Sequence, residues 1–395
     1  MTVLGVSVYP DLRPMDEVRE YLAMASKYGY TRVFSSMFSA EGSTNEVLSC
    51  FGELIESAHH FGMEVSLDVE PQFLMRVGAR PDDLHVFGKI GVDILRMDGA
   101  FAEDDNVCML GNKYGIRIEY NASSQTPHVI RRLVARGVDK DRILACHNFY
   151  PQRYTGFRWD KFQNVNAQLL PLGIRIGAFI ASHAPGTHGV WDATCGLPTV
   201  ERLRDFPADL QARILVAAGT TDVFFGNAYA SEDELESVRQ AFEPVTPHYV
   251  SKEHEAIVAR SSAYLGSDLD LYSQRKVRVE PLYDLLAVEK TILFEYFPHV
   301  DMGDSSEWIW RSRGPRQFFG DQSIPPRRYE RSCFQRGDVV MVNDNYKHYA
   351  GEVQVVLQPI KNDGTRNLVA RVSSDEMTMF DVIADGDVVV FMPVR

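Results

Sequence analysis

The chain lacks any cysteine pairing pattern. Its five cysteines, Cys50, Cys108, Cys146, Cys195 and Cys333, lie far apart with no CxxC, which fits neither a disulfide framework nor a structural zinc site and agrees with a reducing compartment. No HxH or HExxH spacing occurs either, so neither a metal nor another cofactor is expected. No apolar run approaches the ~18 residues of a membrane helix. No basic leader with a following apolar stretch opens the sequence, so the expected location is the cytoplasm, with no membrane partner. Positive charge is in deficit: 41 Lys and Arg stand against 54 Asp and Glu, a net charge of −13. Such a chain repels phosphate backbones at long range, and with no basic helix or aromatic RNA-binding signature, nucleic acid is not an expected partner. No GxGxxG follows the first strand-like run, which removes the usual mark of a dinucleotide-binding doubly wound sheet.

What is present is ordinary in bulk and ordered in detail. Apolar residues make up 45% and charged residues 24% of 395, enough for two domains with separate cores. Eight aliphatic or β-branched runs recur in the first part: VLGVSVY, RVFSSMF, EVSLDV, ILRMD, IRIEYNA, ILACHNFY, RIGAFIA and VFFGNAYA. Helical patterns separate them, among them Met15 to Tyr28, Asn45 to Phe61, Pro127 to Arg136 and Glu232 to Ala241, often closed by glycine as at Gly29, Gly62 and Gly137. Eight such units over about 240 residues predict a (β/α)8 barrel over residues 1–243, with its active site at the C-terminal strand ends. From residue 244 to 395 the rhythm changes to a mixed segment up to Pro281, a helix near Leu282 to Phe294, and the runs GDVVMVND, GEVQVVLQPI, NLVARVS and GDVVVFMPV. These predict a smaller, mostly β domain, a barrel or a sandwich. The class is α/β overall.

Alternate strand residues point into a barrel, and those at the C-terminal ends line its mouth. In EVSLDV that parity turns Ser66 and Asp68 inward, in ILRMD Arg96 and Asp98, and in IRIEYNA Arg117, Glu119 and Asn121. Three adjacent strands thereby offer three carboxylates, and carboxylates crowded together raise one another's pKa, which lets an acid and a base coexist near neutrality. The competing reading is a buried salt-bridge layer with Arg96 and Arg117. Amide, imidazole and phenol groups suited to sugar hydroxyls follow at later strand ends: His147, Asn148 and Tyr150, then His183, then Asn227 and Tyr229. The parity turns Cys146 toward the helices, as a packed thiol rather than a nucleophile. In the second domain EWIWRSRGPRQFFG concentrates Arg311, Arg313 and Arg316 with Ser312, a group able to grip phosphate through guanidinium forks or to be a solvated basic loop.

Taken together, LGVSVYPD, LDVEP, LRMD, RIEYNAS, CHNFYPQRYTG, AFIASH, GNAYAS, WRSRGPR and YAGEVQVVL resemble glycoside hydrolase family 170, the 6-phospho-N-acetylmuramidases, over nearly the whole chain. The resemblance implies an N-terminal barrel, a C-terminal cyclophilin-like β domain, and hydrolysis of 6-phosphorylated muramyl disaccharides in cytoplasmic cell-wall recycling. By position it implies Asp68, Asp98 and Glu119 as the strand-end carboxylates, and Arg311, Ser312 and Arg316 as an RS-x3-R phosphate clamp reaching over the barrel mouth. Trp191 and Asp192 of GVWDATCG fit its pattern beside the pocket. The substrate partner is then a small phosphorylated sugar, and the oligomeric state stays open, a homo-oligomer included. Two other readings use the same residues: a metal-dependent sugar-phosphate isomerase or epimerase, and a non-catalytic carbohydrate-binding barrel.

Overall fold

A computed structural model describes residues 2–37, 40–124, 126–245, 252–266, 268–296 and 298–394. The chain forms two compact units, Met1–Ala241 and Phe242–Arg395. In the first, eight strands close into a parallel barrel in sequence order: β1 Val3–Ser7, β2 Arg32–Ser36, β3 Glu64–Val69, β4 Ile94–Met97, β5 Arg117–Asn121, β6 Ile143–Cys146, β7 Arg175–Ile180 and β8 Asp222–Phe225. Helices follow the predicted segments closely, at Met15–Lys27, Thr44–His60, Thr126–Ala135 and Glu232–Phe242. The second of these begins in a full capping box, Ser43 accepting from the Glu46 amide while Glu46 accepts from the Ser43 amide, which satisfies two otherwise orphaned donors.

The barrel interior is filled in layers. One is ionic: the fully buried Arg32 donates to Glu119 at 3.0 Å and to Asp222 at 2.5 Å, Arg175 also reaches Asp222 at 2.9 Å, and Ser66 donates to the other Glu119 oxygen at 3.0 Å. Another is aromatic, made of Tyr9, Phe34, Phe179 and Phe224 with Cys146. The Arg32 guanidinium lies 4.8 Å from the Phe224 ring centroid and that of Arg96 lies 6.0 Å from Phe34, so the plug separates two levels of charge. Its size is made possible by Gly5, where an added Cβ would come within 2.3 Å of the Phe224 ring.

In the second unit, seven strands form one barrel-shaped, nearly closed sheet in the order β10-β17-β9-β16-β13-β14-β11. Their spans are β9 Gln274–Pro281, β10 His299–Val300, β11 Ile309–Ser312, β13 Asp338–Val342, β14 Val353–Val356, β16 Arg366–Arg371 and β17 Val388–Pro393, while β12 Cys333–Phe334 and β15 Ile360–Lys361 pair separately. The run GEVQVVLQPI, expected as one strand, divides because its first part pairs with β13 and β11 and its last part with β12. The mixed segment before Pro281 holds a helix, Lys252–Leu265, and β9, whose Val277 and Val279 are fully buried. The helix expected over 282–294 is confined to Ala287–Lys290 and a wider turn over Thr291–Glu295. Among the described residues no helix is long and apolar enough to cross a membrane.

Glu119→Gln removes one of the two carboxylates that hold a guanidinium 1% exposed. Breaking such a pair from one side is expected to cost on the order of 3 kcal/mol, read as a lowered urea midpoint against wild type.

Candidate active site

The C-terminal ends of β3 to β6 bring their polar residues to one mouth. Asp68 is the penultimate residue of β3, 6% exposed, and Arg96 the penultimate residue of β4, 2% exposed. Arg96 Nη1 donates to Asp68 Oδ1 at 2.5 Å, and Nη2 donates to Asn148 Oδ1. Asp98, just past β4, accepts from Asn121 Nδ2 at 2.9 Å. Ser36, Asp68, Arg96, Asp98 and Asn148 form the polar side of a cleft, and Phe34, Phe149, Phe179, Val190 and Trp191 the apolar side. Trp191 is 55% exposed.

Burial pushes the Asp68 carboxyl up to about 6; Arg96 opposes the rise, and the negative charges of Asp98 and Glu119 add to it. A carboxyl in that range is protonated for part of the time near neutrality and can give its proton to a departing oxygen. Two carboxyl groups in one cleft with different surroundings are what glycosidic bond cleavage requires.

Of the residues singled out from sequence, Asp68, Asp98, Asn148 and Trp191 line the cleft, and Asn121 touches it through Asp98. Glu119 does not. It points inward as its parity predicts, but one level lower, 1% exposed and engaged by Arg32 and Ser66; strand position sets depth as well as facing. The parity of β6 runs opposite to expectation. Cys146 faces the aromatic plug, where burial raises its thiol well above the ordinary range. His147 turns outward to the helix Trp159–Leu169, its ring 4.7 Å from Phe162 and its Nε2 2.9 Å from Asn166 Oδ1, and burial lowers its pKa to about 4. Tyr150 packs parallel to Phe157. The exposed His183 meets the Phe206 carbonyl at 3.1 Å. Asn227 is spent on both backbone groups of Ser182. Tyr229 packs edge-on against Tyr21. None of these four is among the residues lining the cleft. Arg96, Ser36 and Phe34 do line it, and the same inward parity that pointed to Asp68 marks them.

Comparison with known proteins gives the chemistry a family. The profile described as 6-phospho-N-acetylmuramidase, N-terminal, matches residues 4–240, and its C-terminal counterpart matches residues 276–392. The chain belongs to the 6-phospho-N-acetylmuramidase family. Its members are glycosidases, and a phosphorylated sugar is the substrate class that the family name carries. Among solved structures, that of an uncharacterized B. cereus protein is 30% identical with a TM-score of 0.80, over 100% of this chain and 99% of that one. A conserved Enterococcus faecalis protein of unknown function is 22% identical with a TM-score of 0.63, over 99% of this chain and 96% of that one. No curated protein matches the chain.

Within the C-terminal unit, the arginine-rich stretch is structured rather than a loose basic loop. Arg311, on β11, holds the buried Glu352 in a two-pronged contact at 2.9 and 2.7 Å. Arg316 lies 3.6 Å from the same carboxylate and 4.7 Å from the Tyr349 ring centroid, and Arg313 pairs with Asp304 at 2.8 Å. Ser312 departs from its expected place in a phosphate clamp: it is fully buried, its hydroxyl 3.0 Å from His299 Nδ1, because alternation along β11 turns Trp310 and Ser312 inward together. Among the described residues no group of three or more His, Cys, Asp or Glu is arranged to hold a metal ion.

The raised Asp68 pKa has a consequence for stability. A carboxyl whose folded pKa lies near 6 against an ordinary 3.8 favours the fold fully below the ordinary value and loses that contribution as pH rises through 6. Urea midpoints should therefore show wild type losing stability relative to Asp68→Asn between pH 5 and pH 8; parallel curves would contradict the raised pKa.

Proposed function

We propose that this glycosidase cleaves the bond of a 6-phosphorylated N-acetylmuramyl disaccharide, MurNAc 6-phosphate linked to GlcNAc, in cytoplasmic peptidoglycan recycling. Asp68 is the general acid that protonates the departing oxygen, and Asp98 is its partner, acting as nucleophile or as the base that activates water. The observation that carries this assignment is the difference between the two rim carboxyls. Asp68 is buried against Arg96 with its pKa raised to about 6, whereas Asp98 sits half-exposed on the cleft and accepts a neutral amide hydrogen bond. Glu119 takes no part in proton transfer in this reading, since its oxygens serve Arg32 and Ser66. Asn148 and Trp191 face the sugar, the indole offering a flat apolar surface to a ring face.

For the phosphate, the candidates are Arg311 and Arg316. Guanidinium forks match phosphate oxygens, and both groups already converge on one carboxylate, Glu352, whose place an incoming dianion would contest. Ser312 supplies no hydroxyl to that contact.

With a phosphorylated chromogenic muramide, Asp68→Asn and Asp98→Asn are each expected to lower kcat by about 10²- to 10⁴-fold while leaving KM near wild type. Wild-type kcat/KM should fall as pH rises above about 6, the Asp68 limb, and Asp68→Asn should lose that limb. The configuration of the first-formed sugar assigns the role of Asp98: retention makes it the nucleophile and inversion the water-activating base. Activity should survive EDTA; its loss on chelation, with recovery on adding a divalent metal, would replace this reading with a metal-dependent sugar-phosphate reaction. Undiminished turnover in both variants would remove the two acids from the mechanism.

A further inference from the structure

The two rim carboxyls are the ends of a single hydrogen-bonded arch. From one end, Asp98 accepts from Asn121 Nδ2 at 2.9 Å, and Asn121 Oδ1 accepts from the Ser123 amide at 2.9 Å. From the other, Asp68 accepts from Arg96, and Arg96 donates to the Asn148 side chain. The two arms meet at Ser123, whose Oγ accepts from the Asn148 amide at 3.0 Å and lies 3.4 Å from His147 Nδ1.

Donor and acceptor counting fixes the direction of the remaining bonds. Asn166 donates through Nδ2 to the Ala218 carbonyl at 2.9 Å, so its Oδ1 is the acceptor toward His147, 2.9 Å away. The His147 proton therefore sits on Nε2, and Nδ1 is left as an acceptor. Ser123 gives its hydroxyl proton to that nitrogen and keeps a lone pair for Asn148. The imidazole stays neutral at working pH, since burial lowers its pKa to about 4. The outward turn of His147 thus serves a purpose: it fixes the rotamer of the Ser123 hydroxyl on which the Asn148 arm ends.

Resting on the assignment of Asp68 and Asp98 above, we propose that Ser123 is a positioning residue for the glycosidic reaction, the joint that holds the two carboxyls in mutual register across β3 to β6. It touches neither acid directly. Its backbone amide acts on Asp98 through Asn121, and its hydroxyl acts on Asp68 through Asn148 and Arg96. Ser123→Ala leaves the His147 nitrogen and the Asn148 amide without this partner, frees Asn148 to move, and loosens Arg96 from Asp68.

The test is steady-state kinetics of the full chain on the phosphorylated chromogenic muramide, across pH. Ser123→Ala is expected to lower kcat on the order of a hundredfold, the scale of a misplacement near 1 Å, with KM close to wild type. Because Arg96 opposes the rise of the Asp68 pKa, its loosening should also move the alkaline limb of kcat/KM to higher pH. Ser123→Thr, which keeps the hydroxyl, should restore both the rate and the limb. Should Ser123→Ala prove too unstable to assay, Asn121→Ala cuts the Asp98 arm alone and is expected to lower kcat in the same way. Wild-type kcat in these variants, or a loss confined to KM with the limb unmoved, would overturn the proposal. If Asp68→Asn and Asp98→Asn are inactive while Ser123→Ala turns over normally, only the joint fails; if both acid variants keep wild-type activity, the acid assignment itself is what fails.

Discussion

The contact between Asp68 and Arg96 at the barrel mouth is the constraint on which the rest of the site depends. An ionised carboxyl taken out of water costs several kcal/mol, and a buried guanidinium repays that only in part. The balance leaves Asp68 near a pKa of 6 rather than 3.8, a difference worth roughly 3 kcal/mol in favour of the neutral acid. Full burial without Arg96 would carry the group further up and keep it from releasing its proton. An exposed position would leave it charged and unable to donate one. The aromatic plug beneath, with Phe34 and Phe179 reaching the cleft wall, supplies the dryness, and the guanidinium limits it.

The barrel holds a second ionic level that resembles the first in composition but differs in use. Arg32, Glu119 and Asp222 are deeply buried, 1% exposed each, and the guanidinium holds both carboxylates. Asp68 and Asp98, by contrast, keep a face on a cleft. Depth along the strand separates a structural ion pair from a reactive one, although both point to the barrel axis. The same interior thus contains both readings that the inward carboxylates allow, one on each side of the aromatic plug.

Much of this was legible in the sequence because parallel strands buried on both faces leave a strong pattern: the eight runs, their order and the inward parity of β3 and β4 follow from the residues. Where the reading slipped, the reasons are physical. The strand β6 ends at Cys146, and the extended chain beyond it places His147 against a helix and Asn148 at the mouth, so counting by twos from an assumed phase exchanged the roles of neighbours. Glu119 was correctly turned inward, but parity carries no information about depth. In the second unit, β9 interleaves Arg275, Lys276 and Arg278 with Val277 and Val279 and so shows no apolar run to mark it. Ser312 was read as a phosphate ligand from its motif, whereas its alternation with Arg311 on β11 already placed it on the inner face. Ser123 had no signal of its own, since a serine in a turn is commonplace and the partners of its hydroxyl, His147 and Asn148, come from the end of β6, far off in sequence.

Asp68 is a carboxylic acid held part-way to neutrality by burial against Arg96. The most direct test of that state is the titration of that one carboxyl, followed by carbon-13 NMR or by infrared difference spectra between wild type and Asp68→Asn. The expected midpoint lies near pH 6 and moves higher when Arg96 is replaced by glutamine. A midpoint at the ordinary aspartate value near 3.8, indifferent to Arg96, would contradict it.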